Sequence, residues 1–140
     1  MKLHGYWILK ECLLTFSDGR PSKQPFQKGM ICYSQNGYMQ ATLSVHPREH
    51  SSHSGLERGH RLGTEEKAHA FDSYLSYGGR YTYDKQEVHH FVEFALNPSV
   101  IGATLKRKYR FDKDELVLSY THYVRSTLSI LYSLRWIRPT

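Results

Sequence analysis

An arginine lies on the apolar face of a predicted strand, Ile101–Phe111. Alternate residues of a strand point to opposite faces, so Arg107 shares a face with Tyr109. A guanidinium there needs a partner, because burying an unpaired charge is energetically costly. It can hold a carboxylate or an enolate through two parallel hydrogen bonds. The alternative partner is Glu11, which shares a face with Trp7 and is expected to point inward, and an internal Glu11–Arg107 ion pair would leave no charge for a ligand.

Two histidines are adjacent in the strand predicted over Gln86–Leu96. Only one of them can point into the fold, and the apolar residues Val88, Val92 and Phe94 place His90 on the inner face. An imidazole with an ordinary pKa of about 6.5 can act as an acid or a base near neutral pH. The alternative is a structural histidine held by a neighbouring hydroxyl or carbonyl group.

Eleven tyrosines are many for a chain of 140 residues. Aromatic side chains favour strands and the walls of amphipathic pockets. Five of them can add hydroxyl groups to a cavity that also contains His90 and Arg107, and the alternative is that most of these rings form only its wall. These five are Tyr81, Tyr83, Tyr109, Tyr120 and Tyr132.

The elements that must position these residues are about eight short strands. The predicted strands are Gly5–Phe16, Met30–Ser34, Tyr38–Val45, Arg80–Tyr83, Gln86–Leu96, Ile101–Phe111, Leu116–His122 and Thr127–Ile137. Asn36-Gly37 predicts a hairpin between the second and third strands, because both residues tolerate positive φ. Closure removes exposed strand edges, and an eight-stranded barrel has room for one small ligand. The predicted fold class is therefore all-β, an eight-stranded antiparallel up-and-down barrel, in one domain over residues 1–140.

One helix is expected between the third and fourth strands, over residues 64–77, where Phe71 and Leu75 belong to an apolar stripe at helical spacing. The polar residues 46–63 before it are predicted to form a mobile loop, and a loop of this length can act as a lid. Its histidines lack the spacing of metal ligands, so no metal site is predicted. They are His46, His50, His53 and His60.

The basic balance of the chain does not predict nucleic-acid binding. Lys+Arg total 19 against 13 Asp+Glu, a formal net charge of +6, but these residues are spread along the chain. Lys106, Lys108 and Arg110 share a strand face without the aromatic side chains that base stacking requires. A solvated surface is the expected role of this face.

The start of the chain and its cysteines predict a cytoplasmic protein. MKLHGYW contains no apolar signal segment. The two cysteines, Cys12 and Cys32, are expected to be reduced thiols. No apolar run approaches the ~18 residues of a membrane-spanning helix, so no membrane partner is predicted.

The two ends of the chain carry a further pattern, Gly5-x-Trp7 and Trp136-x-Arg138. In a closed barrel the first and last strands are neighbours, so Arg135 or Arg138 can stack on the Trp7 ring. The alternative is that Trp7 is a core plug and the arginines are solvated. The pattern resembles that of the lipocalins and the wider calycins, in which such a pair closes the base of the barrel.

Other motifs follow in the same order along nearly the whole chain. They are Pro25, Phe26 and Gly29, Tyr33-x-x-x-Gly37-Tyr38-Met39, Tyr77-Gly78-Gly79-Arg80-Tyr81, His89-His90, Asn97-Pro98, Gly102 and Arg107. The chain resembles the lipocalin-like domain family of small stand-alone bacterial and fungal proteins. The resemblance implies an eight-stranded barrel around a cavity for a small, mainly apolar molecule. It also implies a possible reaction, since some lipocalin-like proteins assist cyclisation or isomerisation.

We therefore expect a protein that binds a small hydrophobic or aromatic ligand with a polar or anionic group. The alternative is a cofactor-independent cyclase or isomerase, in which His90 is the acid or base and Arg107 anchors an oxyanion. No cofactor motif occurs. A third possibility is an interaction module that uses the outer apolar face of the first strand, which also suggests a homodimer.

Overall fold

The computed structural model describes residues 2–53 and 55–140. Eight antiparallel strands form a closed barrel in sequence order, which confirms the predicted fold class. The strands are β1 (Gly5–Phe16), β2 (Lys28–Tyr33), β3 (Tyr38–Ser44), β4 (Tyr74–Tyr83), β5 (Glu87–Ala95), β6 (Thr104–Asp112), β7 (Glu115–Arg125) and β8 (Leu128–Ile137). Because β1 pairs with both β2 and β8, the barrel leaves no unpaired edge for aggregation.

The hairpin predicted at Asn36-Gly37 joins β2 and β3. Gly37 has φ 92°, a backbone conformation that residues with a Cβ atom rarely adopt. The Ser34 amide donates to the Tyr38 carbonyl at 2.8 Å. This turn, together with those at 84–86 and 113–114, forms the end of the barrel that we call the base. The opposite end, where β1, β3, β5 and β7 finish, is called the mouth.

The helix is shorter than predicted. It spans Thr64–Asp72 (α1), and β4 already begins at Tyr74, so the predicted helix over 64–77 is wrong in its last turn. Leu75, which belonged to the apolar stripe, pairs with Leu43 of β3 instead. Tertiary strand pairing therefore overrides a local helical spacing.

A bulge in β5, where Glu93 is left without a partner, lies opposite two consecutive glycines of β4. The register with β5 shifts between Gly78 and Gly79. A Cβ at Gly79 would lie 2.0 Å from the Phe91 carbonyl oxygen, and one at Gly78 would lie 2.6 Å from the Phe94 ring. Phe94 is 51% exposed and lies on the outside of the barrel, contrary to the inner face predicted for it. Strict alternation fails at this point because the bulge changes which face later residues occupy.

Residues 46–63 contain a 3-10 helix, Leu56–Arg61. Arg48 anchors the start of this segment, since its guanidinium donates to the Ser73 hydroxyl and to the Ala70 carbonyl, both at 3.1 Å. The mobility of the segment stays a prediction. No helix among the described residues is both long and apolar enough to cross a membrane.

The base of the barrel is closed by an arginine stacked on a tryptophan. Trp7 is 2% exposed, and its indole N–H donates to the Leu3 carbonyl at 2.9 Å. Arg138 Cζ lies 3.7 Å from the centroid of the Trp7 ring. Its guanidinium donates to the carbonyls of Tyr6 and Lys2 at 3.2 and 2.5 Å. The stack and these hydrogen bonds join the last strand to the first.

Arg135, the other arginine expected near Trp7, is in an ion-pair network instead. Its guanidinium donates to Asp112 and to Glu115, each at 2.9 Å. The hydrogen bond from Arg135 lowers the pKa of the Asp112 carboxyl group. The pKa of Glu115 is lowered first by its hydrogen bond from Lys10 and then by the one from Arg135. Of the two arginines expected near Trp7, the structure therefore places only Arg138 on the ring.

Candidate functional site

A cavity of about 110 Å³ lies inside the barrel, and we call it the inner cavity. Most of its walls are apolar: Pro25, Phe26, Ile31, Ala41, Leu43, Leu75, Leu118 and Leu134. Its lining also includes side chains with polar atoms: Cys12, Tyr77, His90, Arg107, Tyr120, Tyr132 and Trp136. An apolar space with a few polar groups is the usual composition of a small-molecule site.

Arg107 lies at the edge of this cavity, half-buried on β6. Its Cζ is 3.6 Å from the centroid of the Tyr120 ring, and it donates to the carbonyl of Lys106 at 3.1 Å. Within residues 2–53 and 55–140, no carboxylate forms an ion pair with it. The cation is therefore held by an aromatic face and a carbonyl, and its charge is available to an anion.

Glu11 is not the partner of Arg107. The β1–β8 register shifts between Leu9 and Glu11, and the bulge leaves Glu11 exposed while Cys12 is 3% exposed and lines the inner cavity. The inward orientation predicted for Glu11 is wrong, because a bulge inserts one residue and reverses the faces that follow. Burial raises the pKa of the Cys12 thiol to about 11, so this group stays protonated.

His90 is 1% exposed and is held between two tyrosines. The Tyr33 hydroxyl lies 2.7 Å from Nε2, and the Tyr77 hydroxyl lies 2.8 Å from Nδ1. A neutral imidazole has one N–H and one bare nitrogen, so one tyrosine accepts and the other donates. Burial, and then the charges of Arg107 and His89, lower the pKa of His90 to about 3. The imidazole is therefore neutral at physiological pH.

This burial predicts that the protein loses stability in mild acid. The unfolded chain protonates His90 near its ordinary pKa of 6.5, whereas the folded protein does so only near pH 3. Stability is thus fully present above pH 6.5 and falls as the pH drops towards 3, by at most about 1.4 kcal/mol per pH unit from this group. Urea denaturation between pH 4 and pH 7 measures the slope.

The matched variants are His90→Gln and His89→Gln. An amide at position 90 can keep neutral hydrogen bonds with Tyr33 and Tyr77 without titrating, so His90→Gln is expected to flatten the slope. His89→Gln is the control: it removes the smallest of the three contributions to the lowered pKa of His90 but keeps that imidazole, so most of the wild-type slope should remain. Equal slopes in the two variants would show that His90 does not titrate as described.

Tyr33 and Tyr77 were missed by the sequence analysis. Burial raises the pKa of both hydroxyl groups, so both remain protonated beside His90. Tyr33 had a detectable signal, since it alternates with buried Ile31 on β2. Tyr77 appeared only in the family motif at 77–81, and its place at the end of the predicted helix gave no inward direction. The network around His90 therefore depends on a strand boundary that the local pattern did not reveal.

The five predicted tyrosines separate into two groups. Tyr120 and Tyr132 line the inner cavity, with ring centroids 4.5 Å apart and planes 5° from parallel, and burial raises the pKa of Tyr120 to about 12. The other three do not line it. Tyr81 donates to the Ser34 carbonyl at 2.7 Å, Tyr109 donates to the Asp84 carbonyl at 2.5 Å, and Tyr83 is 45% exposed.

Trp136 was predicted only as part of the closing motif, but it lines the inner cavity. It is 1% exposed. Its indole N–H is buried and has no hydrogen-bond partner among the residues that the structure describes. A buried donor in this condition costs about 1–3 kcal/mol, and an acceptor brought by a ligand would relieve that cost.

A second, more open space of about 530 Å³ lies beside the inner cavity at the mouth, and we call it the outer cleft. The end of α1, the start of β4 and the β5–β6 connection line it. Five residues line both spaces: Phe26, Leu75, Tyr77, Arg107 and Tyr120. The described part of residues 46–63 lines neither space, so the structure does not place that loop as a lid over them.

The described residues contain no cluster of metal ligands. No group of three or more His, Cys, Asp or Glu side chains in that part of the chain is arranged to hold a metal ion. Both cysteines are unpaired. The chemical features of the site are therefore one unpaired guanidinium, one neutral imidazole and one unpartnered indole N–H.

Comparison with known proteins agrees with this architecture. A search of curated proteins gave no match. A family model described as a lipocalin-like domain matches residues 4–138, almost the whole barrel. The matched span includes both the Trp7–Arg138 closure at the base and the Arg107 site. This chain belongs to the lipocalin-like domain family.

Proposed function

We propose that the protein binds a small, mainly hydrophobic or aromatic molecule that carries an anionic group. Lipocalin-like barrels bind small molecules in general. The observation that carries the finer proposal is the unpaired guanidinium of Arg107 at a cavity with mostly apolar walls. Burial of apolar ligand surface contributes about 25 cal/mol per Å². The guanidinium adds a preference for an anion.

Acid–base catalysis by His90 has weaker support. A cyclase or isomerase would need this imidazole to accept a proton from its substrate. Both ring nitrogens already have tyrosine partners, and a pKa of about 3 makes the imidazole a weak base. The hydrogen bonds therefore favour a binding protein in which no bond of the ligand changes.

Three molecules with one skeleton and different charges test the proposal. They are 4-phenylbutyrate, 4-phenylbutan-1-ol and 4-phenylbutylamine. A ligand that binds only the folded state raises thermal stability, by about 2.7 kcal/mol at a hundredfold excess over its Kd. Because Arg107 favours an anion, the melting temperature is expected to rise most with the acid and least with the amine. An equal rise with the amine would contradict the proposal.

A further inference from the structure

The inner cavity is too small for a whole ligand of the proposed kind. Its volume is about 110 Å³. Sites for drug-sized ligands span roughly 300–1,000 Å³. The outer cleft, at about 530 Å³, falls within that range and shares its inner wall with the cavity.

The two hydrogen-bond donors available to a ligand, the Trp136 indole N–H and the Arg107 guanidinium, belong to residues that line the inner cavity. Trp136 lines only the inner cavity of these two spaces, and its buried N–H has no partner among the described residues. Arg107 lines both spaces and is not in an ion pair with any described carboxylate. Both side chains therefore line the space that an acceptor in the cavity would occupy. An apolar group there would leave the indole N–H unsatisfied.

The outer cleft instead presents apolar surface to solvent. Phe71 at the end of α1 is 44% exposed, and Leu96 after β5 is 39% exposed. Exposed apolar side chains that gather around a cleft mark a binding surface more often than scattered ones do. The cleft is therefore suited to the hydrophobic body of a ligand whose polar end is further in.

We propose that the outer cleft is a second ligand subsite, and that the ligand enters with its anionic end first. The anionic group accepts hydrogen bonds from Arg107 and Trp136 in the inner cavity, while the apolar body lies in the outer cleft. The ligand class is an elongated carboxylate or enolate with a narrow polar end. This inference rests on the proposed function, because it uses Arg107 as the anion anchor.

The two tryptophans report the orientation of the ligand. The chain has only two, so its ¹H–¹⁵N spectrum contains two indole N–H signals, and Trp136→Phe assigns them by removing one. On titration with 4-phenylbutyrate, the Trp136 signal is expected to move downfield as its proton gains an acceptor. The Trp7 signal should stay in place, since its N–H already donates to Leu3.

Substitutions of two side chains of equal size, one in the outer cleft and one outside it, test the second subsite. Leu96 lines the outer cleft, whereas Ile101 is 51% exposed and lines neither space. Leu96→Ser is expected to weaken 4-phenylbutyrate binding by about 5- to 10-fold, through loss of apolar contact. Ile101→Ser should leave it unchanged. Phe71→Ser provides a second cleft variant on an exposed helix position, with the same expected direction.

The outcomes separate this inference from the proposed function. In one outcome, Arg107→Ala weakens binding, but the Trp136 signal does not move and the Leu96 and Phe71 variants bind as the wild type does. The orientation and the second subsite are then wrong, while the anion site at Arg107 is retained. If Arg107→Ala has no effect, or if the wild type does not bind the acid, both proposals fall. A response of the Trp136 signal without any effect of the two cleft variants would retain the inward anion and overturn the outer subsite.

Discussion

Arg107→Ala is expected to lower the affinity for 4-phenylbutyrate by about 10- to 100-fold. A hydrogen bond to a charged group contributes about 1.5–3 kcal/mol, and the variant removes the cation that supplies it. The affinity for 4-phenylbutan-1-ol should change little, because the alcohol gains little from the charge. Isothermal titration calorimetry at constant pH and ionic strength measures both.

The control is Arg110→Ala, which removes the same side chain from the outer face of the same strand. Arg110 is exposed and contacts Asp112 only at 3.9 Å, so its loss changes the net charge without touching the cavity. Its variant should bind 4-phenylbutyrate as the wild type does. Similar losses in both variants would indicate long-range attraction to a basic protein rather than an anion anchor.

Trp7→Ala is expected to destabilise the protein by about 3–5 kcal/mol, the range for removal of a large aromatic side chain from a core. The ring is 2% exposed, packs under Arg138 and is held by a hydrogen bond to Leu3. Its removal leaves a void and also removes the stack between Arg138 and the first strand. Urea denaturation measures the free energy of unfolding.

Tyr6→Ala is the matched control for this substitution. Tyr6 is the preceding residue on the same strand, it is 57% exposed, and its contact with Arg138 is through the backbone carbonyl. A loss of no more than about 1 kcal/mol is expected, as at most surface positions. If Trp7→Ala were no more destabilising than Tyr6→Ala, the stack at the base would not be what closes the barrel.

The barrel was predictable because period-2 alternation extends over most of the chain. On β6, Leu105, Arg107 and Tyr109 are half-buried while the intervening residues are exposed, as their spacing predicts. The Asn36-Gly37 turn fixed one hairpin through backbone geometry alone. The boundary between α1 and β4 was not predictable in this way, since the segment 74–77 has helical spacing but pairs with β3.

The candidate site was predictable only where a strand is regular. Arg107 and His90 are at the cavity as expected, whereas Glu11 follows a bulge that no local signal marks. The partners of His90 are set by contacts between strands distant in sequence, which alternation cannot supply. The unpartnered N–H of Trp136 is a property of packing, and it emerges only from the three-dimensional arrangement.

The most direct test of the central claim is to fill the inner cavity and measure binding. Ala41 lines that cavity and is 4% exposed, while its neighbour Gln40 points outward on the same strand. Calorimetric titration of 4-phenylbutyrate into Ala41→Phe and Gln40→Phe compares the same new ring inside and outside the barrel. The account predicts that Ala41→Phe, while still folded by circular dichroism, loses binding and that Gln40→Phe retains it. Wild-type affinity in a folded Ala41→Phe protein would show that the ligand does not bind inside the barrel.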